Sequence, residues 1–173
     1  MKNYINKFLI LLLMVFIYPI KSFGLIEVDI TRGNLNPLPV AVSPLSIDEK
    51  SKKSFENLIN KKNIGEEISS IVENNLKTSG LFNPLSKDAF LQAPDIANLK
   101  PRFEDWNLIK AQALITGKVT NIDNKLRVEF RLWDILAGKE MMALAFTTVP
   151  TNWRRVGHII SDKVYERLTG EKG

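Results

Sequence analysis

Residues 125–135 read KLRVEFRLWDI, and no other stretch of the chain alternates so cleanly. Leu126, Val128, Phe130 and Leu132 fall on one side, and Arg127, Glu129, Arg131 and Trp133 on the other. Successive side chains of a strand leave opposite faces, so this is the pattern of an antiparallel strand with one covered face. Its neighbours fit the same sheet. QALITGKVTNI (112–122) leads in through Asp123-Asn124, and Gly138-Lys139 turns the chain into EMMALAFTT (140–148). Three consecutive strands thus present an apolar face that helices must cover.

Two amphipathic segments supply the cover. In 153–173, WRRVGHIISDKVYERLTGEKG, the residues Trp153, Val156, Ile160, Val164 and Leu168 step by three or four along one stripe. Thr151 or Asn152 is the expected cap and Gly170 the stop. In 63–80, NIGEEISSIVENNLKTSG, the stripe is Ile64, Ile68, Ile71, Val72 and Leu76. Asn63 with Glu66 three residues on predicts a capping box. Gly80 predicts a left-handed stop, with Leu81 or Phe82 packing back on the last turn.

The remaining elements are shorter. PVAVSPL (39–45) reads as a strand, as does LIEVDIT (25–31), where Ile26, Val28 and Ile30 alternate with Glu27, Asp29 and Thr31. Residues 46–62 are polar and lysine-rich and read as a loop holding at most a weak helix around 51–59. LFNPL (81–85) is a short extended piece, and Pro84, Pro94 and Pro101 keep 83–103 irregular apart from a possible turn of helix. FEDWNLIKA (103–111) predicts a short helix that buries Trp106 and Ile109. The order β-β-α-α-β-β-β-α predicts an α/β two-layer sandwich: a mixed sheet of about five strands with two main helices packed on one face.

The first twenty-four residues have the plan of a secretory signal: a basic start, the thirteen-residue apolar run Phe8 to Ile20 between Lys7 and Lys21, then Ser22 and Gly24 as small residues before a cut. A membrane-spanning helix needs about 20 apolar residues. Domain 25–173 therefore follows a cut after Gly24, with no stable membrane insertion afterwards. The whole chain has 24 Lys+Arg against 19 Asp+Glu, and loss of Lys2, Lys7 and Lys21 leaves 21 against 19, a net +2. That balance asks for no nucleic-acid partner.

Chemistry is sparse. The chain has no cysteine, which removes thiolate catalysis, thiolate zinc sites and redox roles. His158 is the sole histidine and has no second ligand at metal-binding spacing. Asp123, Asp134 and Asp162 sit at turns, strand ends or a helix surface. Gly65, Gly117 and Gly157 are isolated and form no phosphate cradle. No catalytic residue, metal ligand or cofactor is assigned, and the expectation is a protein that is not an enzyme. Trp106 and Trp153 read as core, whereas Trp133, opposite Phe130 and Leu132, reads as the aromatic to watch for a partner surface. Lys50, Lys52, Lys53, Lys61 and Lys62 make a basic loop open to anionic lipid or glycan. The leading segment 25–33 has a separate opportunity: extended, alternating, free at one end after processing, and hinged at Gly33-Asn34. Such a segment can dock on its own sheet or add to another protein's.

Several of these stretches resemble the N-terminal domain of the TolB family, periplasmic proteins of the Tol–Pal envelope system. They are EVDITRG, PVAVSPL, IGEEISSIVENNLKTSGLFNPL, DWNLIKAQALITGKV, KLRVEFRLWDILAGKE and the closing WRRVGHIISDKVYERLTGEKG. The most specific pieces are S-G-x-F-x-P-L and H-x-x-S-D-x-x-Y/F-x-x-L-T-G-x-K-G. Two departures stand out: a longer, lysine-rich stretch at 46–62, and Ser-Phe-Gly where Ala-x-Ala is commoner at the signal's end. The resemblance implies a periplasmic adaptor that supports outer-membrane integrity and outer-membrane invagination during cell division. It places binding of the TolA C-terminal domain on the mature N-terminus, here Leu25, Ile26, Glu27, Val28, Asp29, Ile30, Thr31, Arg32 and Gly33. In the family L-T-G-x-K-G precedes a β-propeller, so the expectation is a chain recorded without that propeller, and Pal contacts are expected only through the missing part. The rival expectation is a secreted polyanion- or lipid-binding module that uses the lysine-rich loop 46–62.

Overall fold

The computed structural model describes residues 36–61 and 63–172. In chain order the elements are β1 (Leu38–Val42), β2 (Ser46–Ile47), α1 (Glu49–Ile59), α2 (Ile64–Thr78), β3 (Phe82–Pro84), α3 (Pro94–Leu99), α4 (Phe103–Leu108), β4 (Ala113–Ile122), β5 (Lys125–Asp134), β6 (Lys139–Thr148) and α5 (Trp153–Thr169). Short 3-10 turns occupy Lys87–Ala89 and Pro150–Asn152. The expected strand at 25–31 lies outside the described residues.

The sheet runs β3-β1-β4-β5-β6, with β2 also pairing to β4. β1 lies parallel between β3 and β4, while β4, β5 and β6 form the antiparallel meander. The sheet is therefore mixed, as the alternation and the element order predict. Asp123 and Asn124 join β4 to β5 with φ of 50° and 59°. Two successive left-handed residues make the tight turn whose twist suits a hairpin.

The apolar face of β5 is fully covered. Leu126, Val128, Phe130 and Leu132 pack with Ile64, Ile68, Val72 and Leu76 of α2 and with Trp153, Val156, Ile160, Val164 and Leu168 of α5. Each such side chain contributes about 1.5–3 kcal/mol by leaving water. Gly80 and Gly170, at φ of 74° and 77°, end the two helices as expected.

Four local expectations need correction. Residues 49–59 form the regular helix α1, because Asp48 caps it and Ser51 and Phe55, one turn apart, are both buried. Asn63 makes no side-chain cap on α2; an ion pair between Lys61 Nζ and a Glu67 carboxylate oxygen at 2.8 Å holds that entrance instead. Asn152 does not cap α5 through its side chain either: its amide donates to Thr148 Oγ1 at 3.1 Å, and the helix is entered through the 3-10 turn. Residues 83–103 hold both a 3-10 turn and the short helix α3, somewhat more than the possible single turn of helix expected.

The opposite face of the sheet is not bare. Ala41, Leu114 and Trp133 pack there with Trp106, Ala111 and Ile135, and Leu85, Phe90, Phe103 and Ile109 close around them. Phe90 meets Trp106 edge-on at 5.0 Å. Buried Gln92 ties this cover together, donating to the Arg102 carbonyl and to Asp105 Oδ2, both at 3.0 Å.

Candidate functional site

The residues expected to bind a partner, Leu25 to Gly33, lie outside the described residues. Their root is well defined. Where the chain enters β1, Leu38 donates to the Leu81 carbonyl at 2.9 Å, Pro39 accepts from the Gln112 N–H at 3.0 Å, and Val40 accepts from the Leu85 N–H at 2.9 Å. The start of β1 is thus anchored on both flanks. Covalent geometry limits the reach of Leu25 from that root to about 45 Å.

Trp133, read from sequence as a surface aromatic, is buried at 6% exposure. Its indole N–H donates to Thr116 Oγ1 at 2.9 Å, and Phe103 covers it edge-on at 5.9 Å. Alternation alone placed it on the correct face, but α4 and its flanks take that face. Trp106 and Trp153 are buried, as read.

His158 is exposed on α5 and works as a helix-to-helix tie. Asn75 Nδ2 on α2 lies 2.8 Å from His158 Nδ1 and 2.7 Å from Ser161 Oγ. The one amide nitrogen thus holds both side chains of α5 from across the helix pair. Ser161 spends its own proton on the helix backbone, at the Gly157 or His158 carbonyl. With both partners engaged by Asn75, serine and histidine are not arranged as nucleophile and base. The cleft beside them holds about 190 Å³ and is lined by Asn75, Leu76, Ser79, Ser161, Asp162 and Tyr165. Among the described residues no three His, Asp or Glu side chains gather as a metal site. Asp134 is buried at the end of β5, where its Oδ1 accepts the Ala137 N–H at 2.8 Å and shapes the turn into β6.

Of the lysines in 46–62, Lys50, Lys52 and Lys53 are carried by α1 and Lys61 lies beyond its end. Lys52 lies 3.6 Å from Glu49, and Lys61 pairs with Glu67 while its ammonium sits 5.2 Å over the Trp153 ring. Lys50 and Lys53 are exposed, and Lys62 lies outside the described residues.

The surface that sequence reasoning passed over is the outer edge of β6. Beside its second half runs a groove of about 360 Å³ lined by Phe146, Thr148, Asn152, Arg155, Val156 and Ile159 among others. The signal was present in the sequence, since 141–148 carry no charge, but only the strand order shows that this run is an edge.

Residues 26–141 match the family model described as the TolB amino-terminal domain. Over 163 residues the chain is 78% identical to the Tol-Pal system protein TolB of Pelagibacter ubique (strain HTCC1062), covering 94% of this chain and 36% of that protein. The chain thus spans little more than a third of the curated relative's length. The crystal structure of TolB from Acinetobacter baumannii superposes with a TM-score of 0.63 at 21% identity, over 86% of this chain and 32% of that one, a likeness of fold.

Proposed function

The chain belongs to the TolB amino-terminal domain family, and on that footing we propose that it is a periplasmic adaptor of the Tol–Pal envelope system, not an enzyme. The observation that carries this reading is the 78% identity to a Tol-Pal system protein TolB across nearly the whole chain. In this reading the export signal is removed after Gly24, and the exposed segment Leu25 to Gly33 is captured by the C-terminal domain of TolA. Through that link the protein supports outer-membrane integrity and invagination at division. Pal is engaged by parts of the relatives' length that lie beyond this chain's match.

The alternation of Ile26, Val28 and Ile30 with Glu27, Asp29 and Thr31 supports capture by strand addition, in which backbone pairing gives affinity and one face of side chains gives specificity. We infer that TolA captures a free form of the segment in competition with one docked on its own domain. With the free form at about 3%, affinity for TolA falls by that fraction, a penalty of about 2 kcal/mol that a third component could relieve. The test is titration calorimetry of the TolA C-terminal domain against the processed chain and a variant lacking 25–33. Binding should vanish in the variant while its circular dichroism stays unchanged. Undiminished affinity would sink the assignment of the segment.

A further inference from the structure

Of the sheet's two outer strands among the described residues, β3 spans three residues and ends in Pro84, whereas β6 spans ten. Soluble proteins guard a long edge with charge, proline or a bulge, because its unpaired N–H and C=O groups invite another strand. The guards of β6 are gathered at its start: the charged Lys139 and Glu140, a register shift opposite Leu132 and Trp133, and Arg167, whose Nε donates to the Met141 carbonyl at 3.4 Å. From Met141 to Thr148 it carries no charge, proline or glycine.

The side chains on this edge are arranged symmetrically. Pairing of Leu132 with Met142, Phe130 with Leu144 and Val128 with Phe146 puts Met142, Leu144 and Phe146 on the helix-covered face. Ala143 and Ala145 occupy the other face, opposite Arg131 and Glu129 of β5. Phe146 stacks on Phe130 at 6.1 Å, while Leu144 remains 38% exposed. The run Met142-Ala143-Leu144-Ala145-Phe146 therefore has the same sequence of sizes in both directions: large, small, large, small, large.

We propose that β6 pairs antiparallel with β6 of a second copy of this chain, about a two-fold axis at Leu144. A two-fold interface brings one patch against itself, so the patch must be self-complementary. Centred on Leu144, the pairing sets Leu144 against Leu144, Met142 against the second copy's Phe146, and Ala143 against its Ala145. Directly opposed residues share a face, so large meets large beside the helices and alanine meets alanine on the other side. Lys139 and Glu140 fall at the ends, toward Thr148 and Val149, and no like charges meet. The second copy's Met142 arrives beside Phe146, at the groove that Val156, Ile159 and Asn152 wall. An unbranched thioether fits such an irregular gap well. A foreign acidic strand is the less favoured occupant, since Arg155 is the one cation among the described residues lining that groove.

Sedimentation velocity on the chain expressed from its complete coding sequence, from micromolar to hundreds of micromolar, tests this directly. A reversible monomer–dimer equilibrium is expected. Leu144→Lys and Leu144→Glu, each alone, set like charges face to face at the axis and should weaken self-association roughly tenfold or more. Their equimolar mixture should recover a dimer, seen by native mass spectrometry as the mixed species. A wild-type chain that stays monomeric or forms only polydisperse aggregate overturns the proposal. So does dimerisation of either single variant as tight as that of the wild type, or a mixture that stays monomeric. Should the charged variants lose the wild-type circular dichroism, hydrogen exchange of the wild type decides: protection rising with concentration at 141–148 upholds the interface, and protection rising only elsewhere refutes it.

Discussion

Asp48 starts helix α1 by accepting the Ser51 N–H on Oδ1 at 2.9 Å and the Ser51 hydroxyl on Oδ2 at 2.9 Å. Ser51 in turn accepts the Asn121 N–H from the sheet at 2.9 Å, so one cap ties the helix to β4. The backbone hydrogen bond from Ser51 holds the Asp48 carboxyl below the ordinary carboxylate range, with the Ser51 hydroxyl and Lys118 assisting and burial opposing. A carboxyl depressed on folding contributes stability that is present above its unfolded value and is lost as pH falls through the folded one. Asp48→Ala should cost about 1 kcal/mol in chemical denaturation at neutral pH. The gap between wild type and Asp48→Asn should hold constant from pH 7 to 5 and close below about pH 4. A gap that instead opens on acidification would contradict the assigned sign. Gly65 answers to a different constraint: a Cβ there would run into the Leu45 carbonyl, which is backbone and cannot swing aside. Gly65→Ala should therefore destabilise by about 2–3 kcal/mol, well beyond any gain in helix propensity, with the melting temperature as the readout.

At the scale of elements, the contact of α2 and α5 with the meander dominates the stability. Phe130 is buried between the sheet and the helices, so Phe130→Ala should cost about 3–5 kcal/mol, measured by urea denaturation. Asn75→Ala, which removes an exposed or half-buried tie between the same two helices, should cost about 1 kcal/mol or less. These elements were legible because apolar residues repeat at helical spacing or alternate without interruption. α1 was legible only as a weak helix, because its buried stripe is one phenylalanine and a serine whose hydroxyl is tied to Asp48 and β4. The caps expected at Asn63 and Asn152 fail for a related reason: a residue type suited to capping says nothing of whether a competing partner, here Thr148 or the Lys61–Glu67 pair, is nearer. Trp133 was placed on the right face, but periodicity cannot say whether a second layer covers that face.

At the scale of the whole molecule, the described core is assembled from residues between Leu38 and Leu168. If 25–33 is a handle, as proposed, removing it should leave the melting temperature unchanged while binding of the TolA domain is lost. A large drop in melting temperature would mean that the leading segment is an integral strand and not a handle.

Sequence by itself determined the two amphipathic helices, the meander, the face that β5 buries and the family to which the chain belongs. These rest on local period and on motifs, both readable one residue at a time. Only the tertiary structure decided that β1 sits between β3 and β4, that a second small core hides Trp133, and that β6, uncharged from Met141 to Thr148, is an outer strand among the described residues. Strand order is a property of non-local pairing. No local pattern encodes which backbone hydrogen bonds a strand has left to offer.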